Sequence, residues 1–578
     1  MSKNIAEQFV EILVKAGIKR IYAVTGDSLN FLNDAIKREG SIQWIHVRHE
    51  EVGAFAAAAE AELDGLAVCA GSSGPGHVHL INGLYEANRG NVPVLAIAST
   101  CESSEFGTSY FQETNTIKLF DDCSVYNQVA NTPEQAPRML QAALQHAISQ
   151  KGVSVLGVPG DLFEAKSEKN ISSDLVFKTN PRIIPSEEEI NWIANQLNSG
   201  KKVAIYCGIG ASEAHTEVVA LAEKLKAPIG YSFRGKMGIQ YNNPYEVGMT
   251  GLLGLPSAFK AMHEADIVLL LGTDFPYVKF MPTDKVIIQI DDKPERLGRR
   301  AQLTRGFAGK IKDSLINLLP LIKINDNQDF LDKQLEFYQK VKNNLRSYVE
   351  DKGKENHISP EFVAETINQK ANKDTIFTVD TGMCCVWGAR YLEATGERKL
   401  LGSFNHGTMA NAMPMAIGAQ LSHPDKQVIA LCGDGGLSML LEDIATIKQY
   451  NLPIKIIVFN NRSLGMVKLE MEVNGIPDNE TDMVNPDFGL LAQAFGINGI
   501  NVTDPEKVET AIQDALAIDG AVLVNIFTDP NALAMPPKVG WEQMKGMGVA
   551  MTKMMLDGNF KEVADTITSN YKHIKEVL

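Results

Sequence analysis

No run of apolar residues in this chain approaches the ~18 that a membrane-spanning helix requires, and no charged-then-apolar signal opens it. These absences support the expectation of a cytoplasmic protein. Cysteine is scarce: seven in 578 residues, an odd number in no repeating framework. That excludes a disulfide scaffold and fits reduced packing thiols such as Cys384, Cys385 and Cys432. Positive charge does not prevail either. Lys and Arg number 55 against 70 Asp and Glu, and a net charge of −15 would repel nucleic-acid phosphates, so no nucleic-acid partner is expected. Short tandem repeats and low-complexity tracts are missing, although the first and last blocks are compatible with distant versions of one fold.

What is there is a long chain, 44% hydrophobic, with enough apolar residues for about three domain cores. Short apolar strands alternate with helical segments, the pattern of an α/β protein with doubly wound parallel sheets. A first block, 1–180, has strands expected at 20–24, 42–47, 67–70, 92–97 and 154–158. The polar run 165–185 reads as a linker. A second block, 186–335, has strands at 203–207, 267–271 and 286–290 and a helix over 213–225. The charged stretch 326–356 reads as a connecting helix and linker, leading to a third block, 357–540, and a tail, 541–578.

The most informative stretch is 427–461. A strand is expected over 427–432, a helix over 437–450 and a second strand over 454–459 after Pro453. Gly433-Asp434-Gly435-Gly436 follows the first strand and Asn460-Asn461 closes the second. Strand, helix and strand in that length make a βαβ unit, which puts Asp434 and Asn461 just past the carboxyl ends of parallel strands, about 5 Å apart if these are neighbours. Open α/β sheets bind ligands at that edge. A carboxylate and an amide oxygen are hard ligands, and Mg²⁺ held by one or two such oxygens completes its octahedron with water and phosphates. Glycines would let backbone amides approach those phosphates. A lone Gly-Asp-Gly fits an ordinary turn; the paired asparagines favour a metal–diphosphate site.

Two further constellations carry chemistry. Arg48-His49-Glu50-Glu51 opens a helix, where successive residues diverge by about 100°, so only one of the two acids can face a given ligand. Acids at a helix start also answer the dipole. In the second block Gly208-Ile-Gly210 ends a strand and opens a helix, while Asp291 ends another strand where a carboxylate could bind a ribose hydroxyl.

At residues 433–461 the chain resembles the thiamine diphosphate enzymes, whose motif is Gly-Asp-Gly followed roughly 25 to 30 residues later by Asn-Asn. The resemblance implies three doubly wound domains that bind the pyrimidine, a flavin and the diphosphate in turn, followed by a helical tail. It implies Mg²⁺ on Asp434, Asn461 and Ser463, and cofactor contacts from Gly433, Gly435, Gly436 and His406. It selects Glu50 as the acid that protonates the aminopyrimidine, Met409 as the apolar wedge that bends the cofactor, and Phe111 and Gln112 as lining of the substrate pocket. Segments containing Thr250, Gly251, Thr273, Asp274, Phe275 and Asp291, with Gly208 and Gly210, look like the flavin-contacting parts of the pyruvate oxidase and acetolactate synthase branch, which implies FAD.

Within that branch the chain is similar almost end to end to the quinone-linked pyruvate dehydrogenases, in runs such as Val24-Thr-Gly-Asp-Ser-Leu-Asn30, Tyr110-Phe-Gln-Glu113 and Met409-Ala-Asn-Ala-Met-Pro414. The implied reaction is oxidative decarboxylation of pyruvate to acetate and CO₂, with electrons passed through FAD to a quinone. Phosphate in place of water would give acetyl phosphate, oxygen in place of quinone would give hydrogen peroxide, and attack on a second keto acid would give acetolactate. The family also implies a homotetramer in which Glu50 meets the metal motif across a subunit interface. Peripheral docking on the inner face of the cell membrane would use a terminal amphipathic segment. Phe560, Val563, Ile567, Ile574 and Leu578 share one helical face, which would serve that docking or packing on the protein itself. Three residues depart from the family's pattern: Met466, where relatives carry an aromatic between thiamine and flavin; Lys310, where an acid is usual; and Thr381, where an apolar residue is usual.

Overall fold

A computed structural model describes residues 3–167, 175–532 and, beyond them, 549, 550 and 553. Part of the linker, 168–174, and the expected amphipathic face from Phe560 to Leu578 lie outside the described residues. Among the described residues no helix is long and apolar enough to cross a membrane.

Three six-stranded sheets form the frame. The first holds β1 (Arg20–Ala23), β2 (Gln43–His46), β3 (Ala67–Gly71), β4 (Val94–Thr100), β5 (Tyr126–Val129) and β6 (Val153–Pro159), in the spatial order β2-β1-β3-β4-β6-β5. The second holds β7 (Val203–Cys207), β8 (Ile229–Tyr231), β9 (Glu246–Met249), β10 (Ile267–Leu271), β11 (Val286–Asp291) and β12 (Arg305–Ala308), in the order β12-β11-β10-β7-β8-β9. A small antiparallel pair, β13 (Gly353–Lys354) and β14 (His357–Ile358), follows the long helix Asp329–Val349. The third sheet holds β15 (Ile376–Val379), β16 (Lys399–Gly402), β17 (Val428–Gly433), β18 (Lys455–Asn460), β19 (Asn498–Val502) and β20 (Val522–Phe527), in the order β16-β15-β17-β18-β20-β19.

Every ladder in the three large sheets is parallel, as crossover helices demand. Numbered from its own first strand, each of the outer blocks reads 2-1-3-4-6-5, so the two are versions of one topology. The middle sheet reads 3-2-1-4-5-6, the order of two joined mononucleotide-binding halves, and its strand order reverses between β7 and β10.

The expected strands form with their ends moved by at most three residues. One expectation is corrected. Residues 437–450 do not make a single helix: Asp434–Met439 is followed by a 3₁₀ turn, Leu441–Asp443, and then by helix Ile444–Gln449. At the break the Asp443 carboxylate accepts the N–H groups of Arg48 and His49 in the first block.

Central strands such as β4 and β6 are buried along their whole length, and each fully buried aliphatic side chain contributes about 1.5–3 kcal/mol. The first and third blocks dock through two small-residue helices. Helix Glu50–Asp64 is rich in alanine, the best helix former, and ends at Gly65 in the left-handed conformation. It packs on helix Ala412–Ser422 so closely that a Cβ on Gly418 would collide with the Ala56 carbonyl.

Candidate functional site

The register Gly433↔Phe459 makes β17 and β18 neighbours, so the two halves of the metal motif leave adjacent strands at one edge. Asp434, buried, starts the short helix after β17. Its Oδ1 accepts the Gly435 N–H (3.0 Å), and its Oδ2 accepts the Arg462 N–H (2.7 Å) and Asn485 Nδ2 (2.7 Å). Burial pushes the carboxyl above its ordinary range, and these donors pull the other way by favouring the anion. Asn461 follows β18; its Oδ1 accepts the Ser463 N–H (3.2 Å), and the buried Ser463 Oγ has no partner. Carboxylate, amide and hydroxyl oxygens form the hard donor set that Mg²⁺ takes. Asn485 escaped the sequence reading. It bridges Asp434 and Asn460 Oδ1 (2.9 Å), and only its place before Pro486, which favours extended backbone, hinted at a fixed position.

The glycines of the motif have different tasks. A Cβ on Gly435 would lie 3.1 Å from Met409 Cε, which places Met409 over the motif. A Cβ on Gly436 would overlap Asp380 Oδ2, a buried oxygen without a partner. Asp380, beyond β15, is a second residue the sequence reading missed as a site member. Its Oδ1 accepts the Asn411 N–H and Nδ2 (both 3.2 Å), pinning the turn at Met409–Asn411 where Ala410 has φ +69°. Burial pushes the Asp380 carboxyl up to about 7, against the pull of the Asn411, Thr381 and Ala410 amides. Thr381 donates its backbone N–H to the same carboxylate, a contact that does not depend on its side chain. The orphaned Asp380 Oδ2, Asn411 Oδ1 and Ser463 Oγ, beside Gly436, which has no room for a Cβ, fit a polar cofactor held at this edge.

Glu50 and Glu51 diverge as helix geometry requires. Glu50 is buried, its Oε2 is 2.9 Å from His79 Nδ1, and its Oε1 would lie 3.2 Å from a Cβ on Gly76. Glu51 instead accepts Asn82 Nδ2 (2.8 Å), which also donates to Thr408 Oγ1 of the third block (2.9 Å). His406 Nε2 lies 2.9 Å from Asn82 Oδ1 and its ring stacks on Tyr85, so His406 belongs to this seam between blocks. Gln112 approaches Glu50's surroundings from the other side: it packs on Gly74, accepts the Ser73 hydroxyl (2.8 Å) and holds φ +63°. Phe111 beside it is 76% exposed. Thus the structure gathers Glu50, Gln112 and the Ser72–Gly76 turn in one cluster, and Asp434, Asn461, Ser463, Gly435, Gly436 and Met409 in another. Within one chain the links beside Glu50 reach the third block through Asp443 and Thr408. Met466 is half-buried against the core shared by the second and third blocks.

In the middle block Gly208 and Gly210 let two loops touch at the switch point: the Gly208 N–H donates to Leu271 O and the Gly210 N–H to Gly272 O (3.0 Å), and a Cβ on Gly210 would meet Gly272 at 2.9 Å. Thr273 follows with its side chain buried. Thr250 Oγ1 and Asp291 Oδ2 are buried without partners, and burial pushes the Asp291 carboxyl up to about 6. These orphans at the carboxyl edge fit a nucleotide cofactor. Asp274 is committed to Arg299 and Arg300, and Phe275 covers Gly251 (φ +109°) within an aromatic cluster with Tyr206, Tyr277 and Phe280. Lys310 donates its ammonium to Asn180 in the linker, so its positive charge points there. All seven cysteines are free and buried.

Family models match the chain in three consecutive stretches: the N-terminal binding domain of thiamine pyrophosphate enzymes over residues 3–119, their central domain over 190–318 and their C-terminal binding domain over 380–526. The chain is 35% identical to a putative thiamine pyrophosphate-containing protein, YdaP, of Bacillus subtilis, over 100% of this chain and 99% of that one. It is 31% identical to a pyruvate oxidase of Lactiplantibacillus plantarum over 88% and 85% of the two chains. A probable acetolactate synthase large subunit of Methanococcus aeolicus is 29% identical over 92% and 94%.

Proposed function

The chain belongs to the thiamine pyrophosphate enzymes, and on that premise we propose that it oxidatively decarboxylates pyruvate to acetate and CO₂ and passes the electrons through FAD to a quinone. The observation that carries the oxidative part is the middle block: a dinucleotide-type strand order with Thr250 Oγ1 and Asp291 Oδ2 left for a ligand at its switch-point edge. Similarity to a pyruvate oxidase over most of both chains supports the substrate.

Bound thiamine diphosphate supplies an electron sink for decarboxylation, and bound FAD a two-electron acceptor. Asp434, Asn461 and Ser463 would hold Mg²⁺, with Gly433, Gly435 and Gly436 clearing room for the diphosphate. Met409, propped by the Asp380–Asn411 pair, supplies the apolar support above them. Glu50 would exchange a proton from Oε1 with the aminopyrimidine of a bound cofactor, while His79 holds Oε2. Gln112 and Phe111 line the approach of the keto acid. Thr273, Thr250 and Asp291 would contact the flavin nucleotide, and His406 secures the loop of the diphosphate block against Asn82 and Tyr85 of helix Ile81–Gly90, which Asn82 ties to Glu51. The family resemblance supports a subunit interface across which Glu50 serves its partner's metal motif, in at least a dimer and, by the same resemblance, a homotetramer. We assign quinone reduction to the inner face of the cell membrane, with the 541–578 tail as the peripheral lipid contact.

The test is anaerobic flavin bleaching of protein reconstituted with FAD, thiamine diphosphate and Mg²⁺, on addition of pyruvate. Bleaching with acetate formation is the expected result, and a lipid-dispersed quinone should restore the colour. Restoration by oxygen with acetyl phosphate and peroxide would reassign the acceptor. Pyruvate loss to acetolactate without bleaching would overturn the oxidative reading in favour of carboligation, which the similarity to acetolactate synthases favours.

A further inference from the structure

The edge strand β2 and the turn after it are met by one face of the segment that follows the metal motif. The Tyr450 hydroxyl accepts the His46 N–H (2.7 Å) and donates to Trp44 O (3.2 Å). Thr446 Oγ1 lies 3.4 Å from His46 O and donates to Asp443 Oδ1 (2.6 Å). The Asp443 carboxylate accepts the N–H groups of Arg48 (2.9 Å) and His49 (3.2 Å), and Arg48 Nη2 donates to Gln449 Oε1 (2.8 Å). Residues 443, 446 and 450 fall on one helical face, and Tyr450 and Thr446 answer Trp44 O and both backbone groups of His46 on this sheet edge. The seam ends on the residue before Glu50.

We infer that Asp443 is the positioning residue for Glu50: its buried carboxylate, carried by the diphosphate-binding block, fixes the two backbone amides from which the Glu50 helix starts. The side chain is fully buried, so its negative charge is unscreened and each N–H bond to it is charge-assisted. The His49 ring in turn accepts the N–H of Glu51, two residues further on, so the start of the helix is held by side chains at both places. Thr446 fixes the carboxylate's rotamer. An amide at 443 could accept from only one of the two N–H groups and would point its own NH₂ at the other, leaving a buried donor unsatisfied. The segment therefore holds metal-binding Asp434 at one end and the Glu50 turn at the other. A small error in that turn moves the acid relative to its target, and misplacement by about 1 Å can cost about 100-fold in rate.

This inference rests on Glu50 being the acid, so the test separates the two claims. Backbone amide exchange over 46–53 is measured in the full-length apo-protein for wild type, D443N, T446V and E50Q. In the loaded enzymes, exchange of the thiamine C2 proton, cofactor Kd, kcat and KM for pyruvate are measured. D443N should speed amide exchange at 48–50 and lower C2 exchange and kcat by about 10- to 100-fold. Cofactor Kd and KM should stay within about twofold of wild type, because the metal and pocket residues are untouched. T446V should show the same pattern more weakly and keeps the test open if D443N does not fold. Unchanged amide exchange in both variants, or a kcat loss explained by weaker cofactor binding, would overturn the role of Asp443. E50Q should abolish C2 exchange without altering amide exchange. If it leaves C2 exchange intact, the assignment of Glu50 falls and the catalytic half of this inference with it, while the amide data still decide whether Asp443 holds the turn.

Discussion

At the end of its third strand the first block turns through Ser72-Ser73-Gly74, while at the same place in the same strand order the third block turns through Gly433-Asp434-Gly435. Beyond the second strand the first block starts the Glu50 helix, and the third runs into the Phe404–Met409 loop. Beyond the fourth strand the first carries the loop of Phe111 and Gln112, and the third carries Asn460-Asn461. One frame has been given two chemistries by its loops alone. The acids differ accordingly. Asp434 accepts three N–H donors, which oppose the effect of its burial by favouring the anion, whereas Glu50 pairs through one oxygen with an imidazole and presents the other beside Gly76.

The largest effects should come from breaking this division of labour. E50Q and D434N should each lower kcat by about 10²- to 10⁴-fold, the first by removing a proton donor and the second by removing a charged metal ligand. D434N should also weaken Mg²⁺-dependent thiamine diphosphate binding, which E50Q should not. If the first block of one subunit serves the third block of its partner, refolding the two inactive variants together should restore about a quarter of wild-type activity, since half the dimers are mixed and each has one intact site. No recovery would mean that both clusters act within one chain.

That contrast was only partly legible in the sequence. The metal motif was readable because β17 and β18 are mostly apolar runs closed by Gly and Asn; that the two strands are neighbours, with Gly433 opposite Phe459, needed the structure. Strands β8, β9, β12, β15, β16 and β20 were not expected, and neither were β5 and β19, each half-exposed at a sheet edge with residues such as Gln128 and Asn501 where an apolar run would have marked a strand. The middle of 437–450 was misread because its apolar spacing suits a helix, while the 3₁₀ turn at Leu441–Asp443 coincides with contacts from Asp443 to the distant Arg48 and His49 amides that no local pattern encodes. Asp380 and Asn485 act by hydrogen bonds to residues far along the chain, which no local pattern encodes. The common topology of the two outer blocks could be suspected from alternation but needed the strand order to be seen.

A smaller effect should appear where the two blocks meet. Buried Glu86 of the first block accepts the Ser403 hydroxyl of the third, and Ser403 Oγ in turn accepts the Gly407 (2.9 Å) and Thr408 (3.0 Å) N–H groups. Burial pushes the Glu86 carboxyl up to about 7, with nearby Glu62 adding to the rise and Ser403 and Arg234 opposing it. The folded chain then binds more protons than the unfolded one between about pH 4.5 and 7, so this group's contribution to stability is greatest below that window and falls as pH rises through it. The fall should be about 3 kcal/mol. E86Q should flatten that slope, checked by denaturant midpoints at pH 5 and pH 8. An unchanged slope would place the titration elsewhere on the seam.

The finest distinction lies in two glycines that close the third strand of each outer block. A Cβ on Gly71 would come within 2.5 Å of His77 Cα and 2.7 Å of Gly76 O, so G71A forces backbone apart and should cost about 1–3 kcal/mol. On Gly433 the nearest atom would be Cys384 Sγ at 3.8 Å, and its extended backbone suits any residue, so G433A should change stability by no more than about 0.5 kcal/mol. In the first block the glycine serves the fold. In the third, where the protein itself leaves room, a glycine is needed only if something else must approach. Thermal unfolding of the two apo-variants and thiamine diphosphate titration in Mg²⁺ separate these demands: G433A should melt with wild type yet bind the cofactor more weakly, and unaltered binding would remove Gly433 from the diphosphate cradle while leaving Gly435 and Gly436 in it.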